Sequence, residues 1–366
     1  MKNSFIIMST LLLFASCKKQ MQNAQQSLQT AKEAKNISID GIITSKAVYY
    51  DSLFTRYGDG WTGGDGAISY RLPDGRDIWL FGDTYLGTVR ENRTRKPQGF
   101  IHNTLALTTQ TPYEFTTLRK GTSLFPEPYL QPANDDYYYW PASCVASADD
   151  SKLYVFMVKV KPTGTGGAFG FEIAGTDIAT LSLPDLDVLD INRFYIGGKI
   201  NWSSCILDDG NFFYIYGAEA GAINKFMHVA RVNKNDPLTT LRYWNGSNWV
   251  KDSAQSARVR GSVSDNYTVF KQGAKYYLLS QENGLSANIY LYDGPSPTGP
   301  FQNRRLVYKT PYVTENSFTY NAFAHVQLMQ DGKLLVGYSN NTFEGNEHYT
   351  NADTYRPNFI WVENWQ

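Results

Sequence analysis

Apolar and polar residues alternate in short runs along most of the chain, and Gly, Asp and Asn interrupt these runs. Alternation with a period of two is typical of half-buried strands, and helical periodicity is nearly absent, so the pattern predicts an all-β protein. Five segments repeat one layout, in which a strand, a tight polar turn and a second strand follow each other. The five turns contain Asp74, Asp150, Asp209, Gln272 and Asp331.

Successive turns lie roughly sixty residues apart, which is the spacing of four-stranded propeller blades with long loops. Five such units, each burying one face against its neighbours, predict a five-bladed β-propeller over residues 39–366. A β-sandwich with coincidental hairpins is the alternative fold.

The N-terminus has the pattern of a secretory signal. Residues 1–16 combine the positive Lys2 with an apolar run that is too short to span a bilayer, which predicts a signal peptide. The small residues before Cys17 resemble a bacterial lipobox, which implies cleavage before Cys17 and its lipidation. An ordinary signal peptide with a chance cysteine is the alternative. Residues 17–38 are then the lipidated cysteine and a flexible tether, and Lys18 and Lys19 indicate, by analogy, the outer membrane of the cell envelope.

The charge and the aromatic content of the chain indicate which kinds of molecule it could bind. Lys plus Arg and Asp plus Glu both number 34, so the net charge is zero, which argues against nucleic-acid binding. Aromatic residues make up 15% of the chain; they favour strands and also stack on sugar rings. Cys144 and Cys205 occupy equivalent positions in two predicted inner strands, either as buried small side chains or as a disulfide.

Acidic residues recur at one place in the repeat. In a propeller, the start of the first strand and the end of the second strand of each blade share a rim. Like charges on that rim raise each other's pKa values, and glycosidic cleavage needs one protonated and one ionised carboxyl group. Each acid taken alone is also a common turn residue. The predicted catalytic residues are Asp65, Asp83, Glu219, Glu282 and Asp265.

Other side chains on the predicted rim suit sugar binding. Trp61, Trp140 and Trp202 offer apolar faces for stacking, and Asn340 and Asn341 end a second strand. His325 lies at the channel, as a substrate contact or as a hydrogen-bonded core histidine. No histidine pair has metal-ligand spacing, so we predict no metal site from the residues.

Residues Gly63–Thr84 carry the most specific motif of the chain, Gly-Gly-Asp-Gly-Ala followed by Leu-Pro-Asp-Gly-Arg and Trp-Leu-Phe-Gly-Asp-Thr. This motif resembles the bacterial domains of unknown function 5005 and 4185, the latter grouped with endo-D-arabinanases in glycoside hydrolase family 183. More broadly, the chain is similar to the five-bladed propeller glycosidases, which include arabinanases, xylosidases and fructosidases.

This resemblance implies that Asp65 is the catalytic base or nucleophile. The proton donor then has to come from Asp83, Glu219, Glu282 or Asp265. We expect Glu219 or Glu282 to be the donor and Asp83 to orient or tune the site. In some members of the superfamily, the histidine that matches His325 lies near a calcium ion.

The chain is therefore expected to be a monomeric, lipid-anchored glycoside hydrolase that cleaves a furanosidic, arabinan-like polysaccharide. It would attach to the membrane through Cys17 and bind no nucleic acid. One alternative is a surface glycan-binding lipoprotein without catalysis. Another is a glycoside phosphorylase, which would need a phosphate site, and Arg90, Arg93, Arg95 and Lys96 are candidates for it.

Overall fold

A computed structural model describes residues 37–39, 41–110, 113–165, 170–196, 198–221 and 224–366. Its strands form five antiparallel sheets in a ring, so the predicted all-β class and the five-bladed β-propeller are confirmed. The predicted signal peptide, Cys17 and nearly all of the predicted tether lie outside the described residues. In the described part of the chain, no helix is long and apolar enough to cross a membrane.

The chain enters the ring through two short strands and a helix, which are Ile37–Ile39 (β1), Ile42–Lys46 (β2) and Val48–Phe54 (α1). Blade one consists of Gly58–Arg71 (β3), Asp77–Val89 (β4), Arg95–Ile101 (β5), Thr104–Gln110 (β6) and Tyr113–Leu118 (β7). A small hairpin follows, with the strands Lys120–Gly121 (β8) and Pro126–Glu127 (β9). Blade two consists of Tyr138–Ala146 (β10), Lys152–Pro162 (β11), Phe171–Ser182 (β12) and Val188–Ile196 (β13).

The remaining blades follow the same order. Blade three contains Ile200–Asp209 (β14), Phe212–Ala220 (β15), Lys225–Asn233 (β16), Arg242–Trp244 (β17), Trp249–Val250 (β18) and Arg260–Gly261 (β19). Blade four contains Tyr267–Gln272 (β20), Lys275–Gln281 (β21), Asn288–Gly294 (β22) and Gln302–Lys309 (β23). Blade five contains Ser317–Ala324 (β24), Leu334–Thr342 (β25) and Arg356–Glu363 (β26), with the short helix Glu347–Thr350 (α2) before β26.

The two ends of the described chain meet in blade five. β26 pairs with β25 on one side and with β2 on the other, and β1 adds the outermost strand. In the register of this closure, Ile43 lies opposite Glu363 and Lys46 opposite Ile360. The first strands of neighbouring blades also contact each other around the whole ring. An N-terminal strand therefore closes the propeller with backbone hydrogen bonds.

The hydrophobic core is divided among the interfaces between blades. Each of five large clusters of buried side chains joins two neighbouring blades. Leu279 and Val336 belong to the cluster between blades four and five, and Trp79 and Phe359 to that between blades five and one. Burying one such side chain contributes about 1.5–3 kcal/mol, so the ring is held chiefly by these interfaces.

The five predicted turns lie where the repeat placed them, between the first and second strands of their blades. Cys144 and Cys205 are both buried and free, so the buried-thiol interpretation holds for this structure and the disulfide alternative does not. Burial raises the pKa of the Cys205 thiol to about 12, which keeps the thiol protonated and inert.

Candidate active site

Asp65 lies in an irregular part of β3, where the pairing with β4 is interrupted. The register shifts on both sides of Gly66, which leaves Asp65 without a directly opposite residue. Gly66 (φ 97°) and Ala67 (φ 53°) both have left-handed backbone conformations. Bulges of this kind bend a strand and redirect a side chain. Here the distorted backbone places the carboxyl group of Asp65 beside Asp83 of β4.

The carboxyl group of Asp65 is surrounded by hydrogen-bond donors and by a second acid. Oδ2 lies 3.2 Å from the hydroxyl of Tyr320 and 3.2 Å from the hydroxyl of Tyr355, and the backbone N–H of Asp83 also donates to this carboxyl. Burial and then the charge of Asp83 raise the pKa of Asp65 to about 8, and these hydrogen bonds only partly oppose the increase. Asp65 therefore holds a proton at neutral pH.

Gly82 allows the two acids to approach each other. A Cβ atom at this position would clash with Oδ1 of Asp65 and would press against the ring of Trp140. The glycine in the motif Phe-Gly-Asp-Thr is thus required by the packing of the carboxyl pair and not by a turn.

Asp83 is partly accessible, with 22% of its side chain exposed. Its Oδ1 accepts a hydrogen bond of 2.9 Å from Nε1 of Trp140 and lies 2.8 Å from Nδ1 of His102. The His102 ring stacks on Tyr138, with centroids 3.8 Å apart. Hydrogen bonds donated to a carboxylate favour its ionised form. Asp83 is therefore held by two ring nitrogens on the side of the pair that faces Trp140 and His102.

A chain of hydrogen bonds from blade five fixes the Tyr320 hydroxyl. Nδ2 of Asn341 donates to the Tyr320 oxygen at 3.2 Å, so the Tyr320 proton is left for Asp65. Oδ1 of Asn341 lies 2.9 Å from Nε2 of His348, and Nδ1 of His348 lies 3.3 Å from the hydroxyl of Tyr85. Burial and then the charge of Arg95 lower the pKa of His348 to about 4, so this ring is neutral at neutral pH.

The sequence profile of the domain of unknown function DUF5005 matches residues 48–365, which is almost the whole propeller. The chain belongs to the DUF5005 family. The resemblance of the Gly63–Thr84 motif to this family is thereby confirmed. No curated protein matches the sequence.

Solved structures share the fold of this DUF5005 chain. A candidate hydrolase from Bacteroides ovatus ATCC 8483 is 21% identical, with a TM-score of 0.76 over 89% of this chain and 91% of that chain. The α-L-arabinofuranosidase of Podospora anserina is 11% identical, with a TM-score of 0.49 over 83% and 92%. An exo-β-1,3-galactanase of Phanerochaete chrysosporium is 12% identical, with a TM-score of 0.48 over 83% and 63%. The first of these likenesses supports the propeller fold.

Of the five predicted catalytic acids, the structure brings only Asp65 and Asp83 together. Glu219, expected as a proton donor, ends β15 and is bound by Arg258 at 2.7 and 3.0 Å and by His228 at 3.1 Å. The Arg258 hydrogen bonds, with that of His228, lower the pKa of Glu219 to about 2. Glu219 is engaged by basic partners, so the structure does not support its predicted role as proton donor.

Glu282 and Asp265 are likewise engaged by basic residues of this DUF5005 chain. Glu282 forms an ion pair with Arg304 and accepts a hydrogen bond from Asn288 at 3.1 Å. Asp265 forms an ion pair with Lys225 on the surface, where 46% of the Asp265 side chain is exposed. Neither acid is among the groups that contact the Asp65–Asp83 pair, so the structure does not support their predicted catalytic role.

Two of the three predicted sugar-stacking residues are in the core. Trp61 is 2% exposed and packs against Phe54 and Phe81, and Trp202 is fully buried against Tyr243. Both predictions are wrong, because the hydrophobic interfaces between blades enclose these rings. Trp140 alone of the three is partly accessible, and it contacts Asp83.

His325 directly follows β24, at the end of the strand away from the rim. It is fully buried, its Nδ1 lies 2.6 Å from Oγ of Ser69, and burial lowers its pKa to about 3. The predicted contact with substrate is therefore wrong, and His325 is a core histidine. Its other neighbours include the rings of Trp79 and Phe359. Among the described residues, no cluster of three metal-ligating side chains occurs.

The two asparagines that were predicted to bind sugar have different surroundings. Asn340 is 6% exposed, and its amide bonds the backbone carbonyl of Asp353 and the amide of Asn358. Its predicted contact with sugar is wrong because both ends of the amide are used inside the protein. Asn341 is half-buried and reaches the site through Tyr320.

The basic residues proposed for a phosphorylase do not form a free cluster. Arg93 binds the carboxylate of Asp353, and Arg95 is buried and donates to backbone carbonyls, including that of His348 at 2.9 Å. These two guanidinium groups therefore support the loops of blades one and five, so this arrangement does not favour phosphate binding.

Sequence reasoning missed several residues that surround the pair, which are His102, Tyr138, Tyr320, Tyr355 and His348. Tyr320 lies in β24, the first strand of blade five, so its position in the repeat could have indicated it. His102 and Tyr355 reach the site from connections outside the repeated hairpin, where the repeat gives no signal.

Proposed function

We propose that this protein is a glycoside hydrolase that cleaves a furanosidic, arabinan-like polysaccharide with the Asp65–Asp83 pair. The observation that supports the proposal most is that Asp65, a carboxyl group with a raised pKa, lies beside the partly exposed Asp83, which accepts a hydrogen bond from Trp140. Glycosidic cleavage uses one protonated carboxyl group and one carboxylate that flank the scissile bond. The furanosidic substrate class comes from the resemblance of the Gly63–Thr84 motif.

In this mechanism, Asp65 is the general acid. The Tyr320 hydroxyl lies at Oδ2 of Asp65, and the Tyr355 hydroxyl lies between this oxygen and the backbone carbonyl of Asp83, to which it donates at 3.0 Å. The proton of Asp65 passes to the glycosidic oxygen as the bond to the leaving sugar breaks. This assignment differs from the role of base or nucleophile that the resemblance implied for Asp65, because the acid with the raised pKa is Asp65.

Asp83 is the general base or the nucleophile. Its carboxylate either takes a proton from the attacking water or bonds to the anomeric carbon itself. Trp140 and His102 hold Oδ1 of Asp83. The Trp140 indole and the stacked His102 and Tyr138 rings supply apolar faces for the sugar beside it.

The location of the enzyme is a separate part of the proposal. Cleavage before Cys17 and lipidation of that residue would anchor a monomeric catalytic domain in the cell envelope, at the outer membrane. Mass spectrometry of the mature N-terminus tests this: a diacylglyceryl group on Cys17 is expected, and an unmodified N-terminus elsewhere would contradict it.

Incubation with arabinan, fructan, galactan and mannan tests the activity. We expect new reducing ends from a furanosidic polymer and none when Asp65→Asn replaces the wild type. Binding of a polymer without new reducing ends would instead favour the glycan-binding alternative, and dependence of cleavage on phosphate would favour a phosphorylase.

A further inference from the structure

Blade five contains an open cavity of about 370 Å³ on the same rim as the carboxyl pair. It lies between the segment before β24 and the connection from β25 to β26. This volume is within the range of about 300–1,000 Å³ that is typical of ligand sites. Its lining combines polar groups with apolar surface and includes Tyr312, Asn316, Ser317, Asn341, Glu347 and Asp353.

The charges of the cavity disfavour an anionic ligand. Asp353 is neutralised by Arg93 at 2.8 Å and by Arg356 at 2.8 Å. Burial acts in the opposite direction, but these hydrogen bonds and charges lower the pKa of Asp353. Of the two acids in the lining, Glu347 is the one that forms no ion pair in the described part of the chain, and its carboxylate repels sulfated or uronic-acid sugars at that end of the cavity.

Three side chains of the lining are available to a ligand. Within the described part of the chain, the Tyr312 hydroxyl, the Asn316 amide and the Glu347 carboxylate take part in no hydrogen bond or ion pair. A carboxylate can accept hydrogen bonds from two neighbouring sugar hydroxyls, an amide can both donate and accept, and a tyrosine ring can stack. Together these groups match a neutral sugar.

The cavity is connected to the carboxyl pair through one side chain. Asn341 forms part of the cavity wall and donates to the Tyr320 hydroxyl, which in turn lies 3.2 Å from Oδ2 of Asp65. A sugar in the cavity would thus be separated from the reacting carboxyl by the Asn341 and Tyr320 side chains.

We propose that the cavity of blade five is a binding subsite for a second sugar unit of an uncharged glycan chain, whose scissile bond lies at Asp65 and Asp83. This inference rests on the proposed hydrolase function. It identifies the substrate as a neutral chain and assigns Glu347, Asn316 and Tyr312 to its recognition.

The test compares oligosaccharide substrates of different lengths. Neutral α-1,5-linked arabino-oligosaccharides of two to six units are the probes, and kcat/KM is measured for the wild type and for Glu347→Gln. We expect kcat/KM to rise with length, and the ratio of long-chain to short-chain values to fall about tenfold in the variant, the scale of one hydrogen bond to a charged group. Glu344→Gln is the matched control because Glu344 is exposed and outside the cavity lining.

A uniform fall of kcat/KM at all lengths, or no change in the ratio, would overturn the subsite. A second experiment separates a failure of the subsite from a failure of the hydrolase proposal. Calorimetry measures the affinity of the Asp65→Asn protein for the same oligosaccharides and for galacto- and manno-oligosaccharides. Length-dependent binding that Glu347→Gln weakens, without cleavage by the wild type, would keep the subsite and reject the hydrolase. If no oligosaccharide binds, or if oligogalacturonate binds equally well, the subsite for a neutral chain is wrong.

Discussion

Asp65→Asn is expected to make the protein more stable at neutral pH, because the native carboxyl group resists ionisation. In the folded protein, burial and the charge of Asp83 raise the pKa of Asp65 from 3.8 to about 8. Between these values the unfolded chain is ionised while the folded chain keeps its proton. The stability that this group contributes is therefore complete below pH 3.8 and is lost progressively as the pH rises towards 8.

The size of the effect on the free energy of unfolding follows from the pKa shift of Asp65. Each pKa unit corresponds to about 1.4 kcal/mol, so the full cost at pH 7 would be about 4 kcal/mol. The Asp65 side chain is partly accessible to solvent, which screens the charge, so we expect about half of this value. An asparagine keeps a similar shape and accepts from the same hydroxyls without an ionisation to suppress. We therefore expect a gain of about 2 kcal/mol at pH 7.

Urea unfolding of the wild type and of Asp65→Asn between pH 5 and pH 8 measures this difference. The gain in free energy of unfolding should grow with pH over this interval. Asp265→Asn is the control, because that acid is exposed and paired with Lys225, and its effect should not grow with pH in this way. A variant that is destabilised equally at every pH would refute the reasoning, since it would show that Asp65 is ionised in the folded protein.

Further predictions concern the surroundings of the pair. With Asp65 as the acid, kcat/KM should fall above about pH 8 in a pH–rate profile. Gly82→Ala should lower turnover at least roughly tenfold in the same assay, because the new Cβ displaces Asp65. Glu219→Gln should leave turnover within about threefold of the wild type, because Glu219 is bound to Arg258 and is not an acid of the reaction. Trp202→Ala should cost about 3–5 kcal/mol of unfolding free energy in urea, because it leaves a cavity between blades.

The architecture could be predicted because each blade repeats the same hairpin. The turns that contain Asp74 and Gln272 differ in sequence but occur at the same place, where the first strand of a blade meets the second. Such periodicity survives when individual residues change. The closing strand β2 was not predicted, because its pairing with β26 joins residues from opposite ends of the chain and leaves no local signal.

The site could be predicted only where the backbone itself positions the residue. Asp65 and Asp83 lie on paired strands of one blade, so their proximity follows from the hairpin. Glu219 occupies a comparable position in blade three, yet Arg258 and His228 bind it there. Which acid receives a basic partner depends on loops of variable length, and the repeat does not encode them. For the same reason, the sequence did not reveal that Trp202 is buried.

The central claim is that Asp65 donates the proton in glycosidic cleavage and that Asp83 acts on the other side of the reaction. It is tested most directly by the kcat/KM of Asp65→Asn on two substrates, the arabinan chain and an aryl arabinofuranoside whose leaving group needs no proton. We predict a loss of about a thousandfold or more on the chain and of less than about tenfold on the aryl substrate. Equal losses on both substrates would contradict the assignment of Asp65 as the acid, and wild-type rates on both would remove Asp65 from the mechanism.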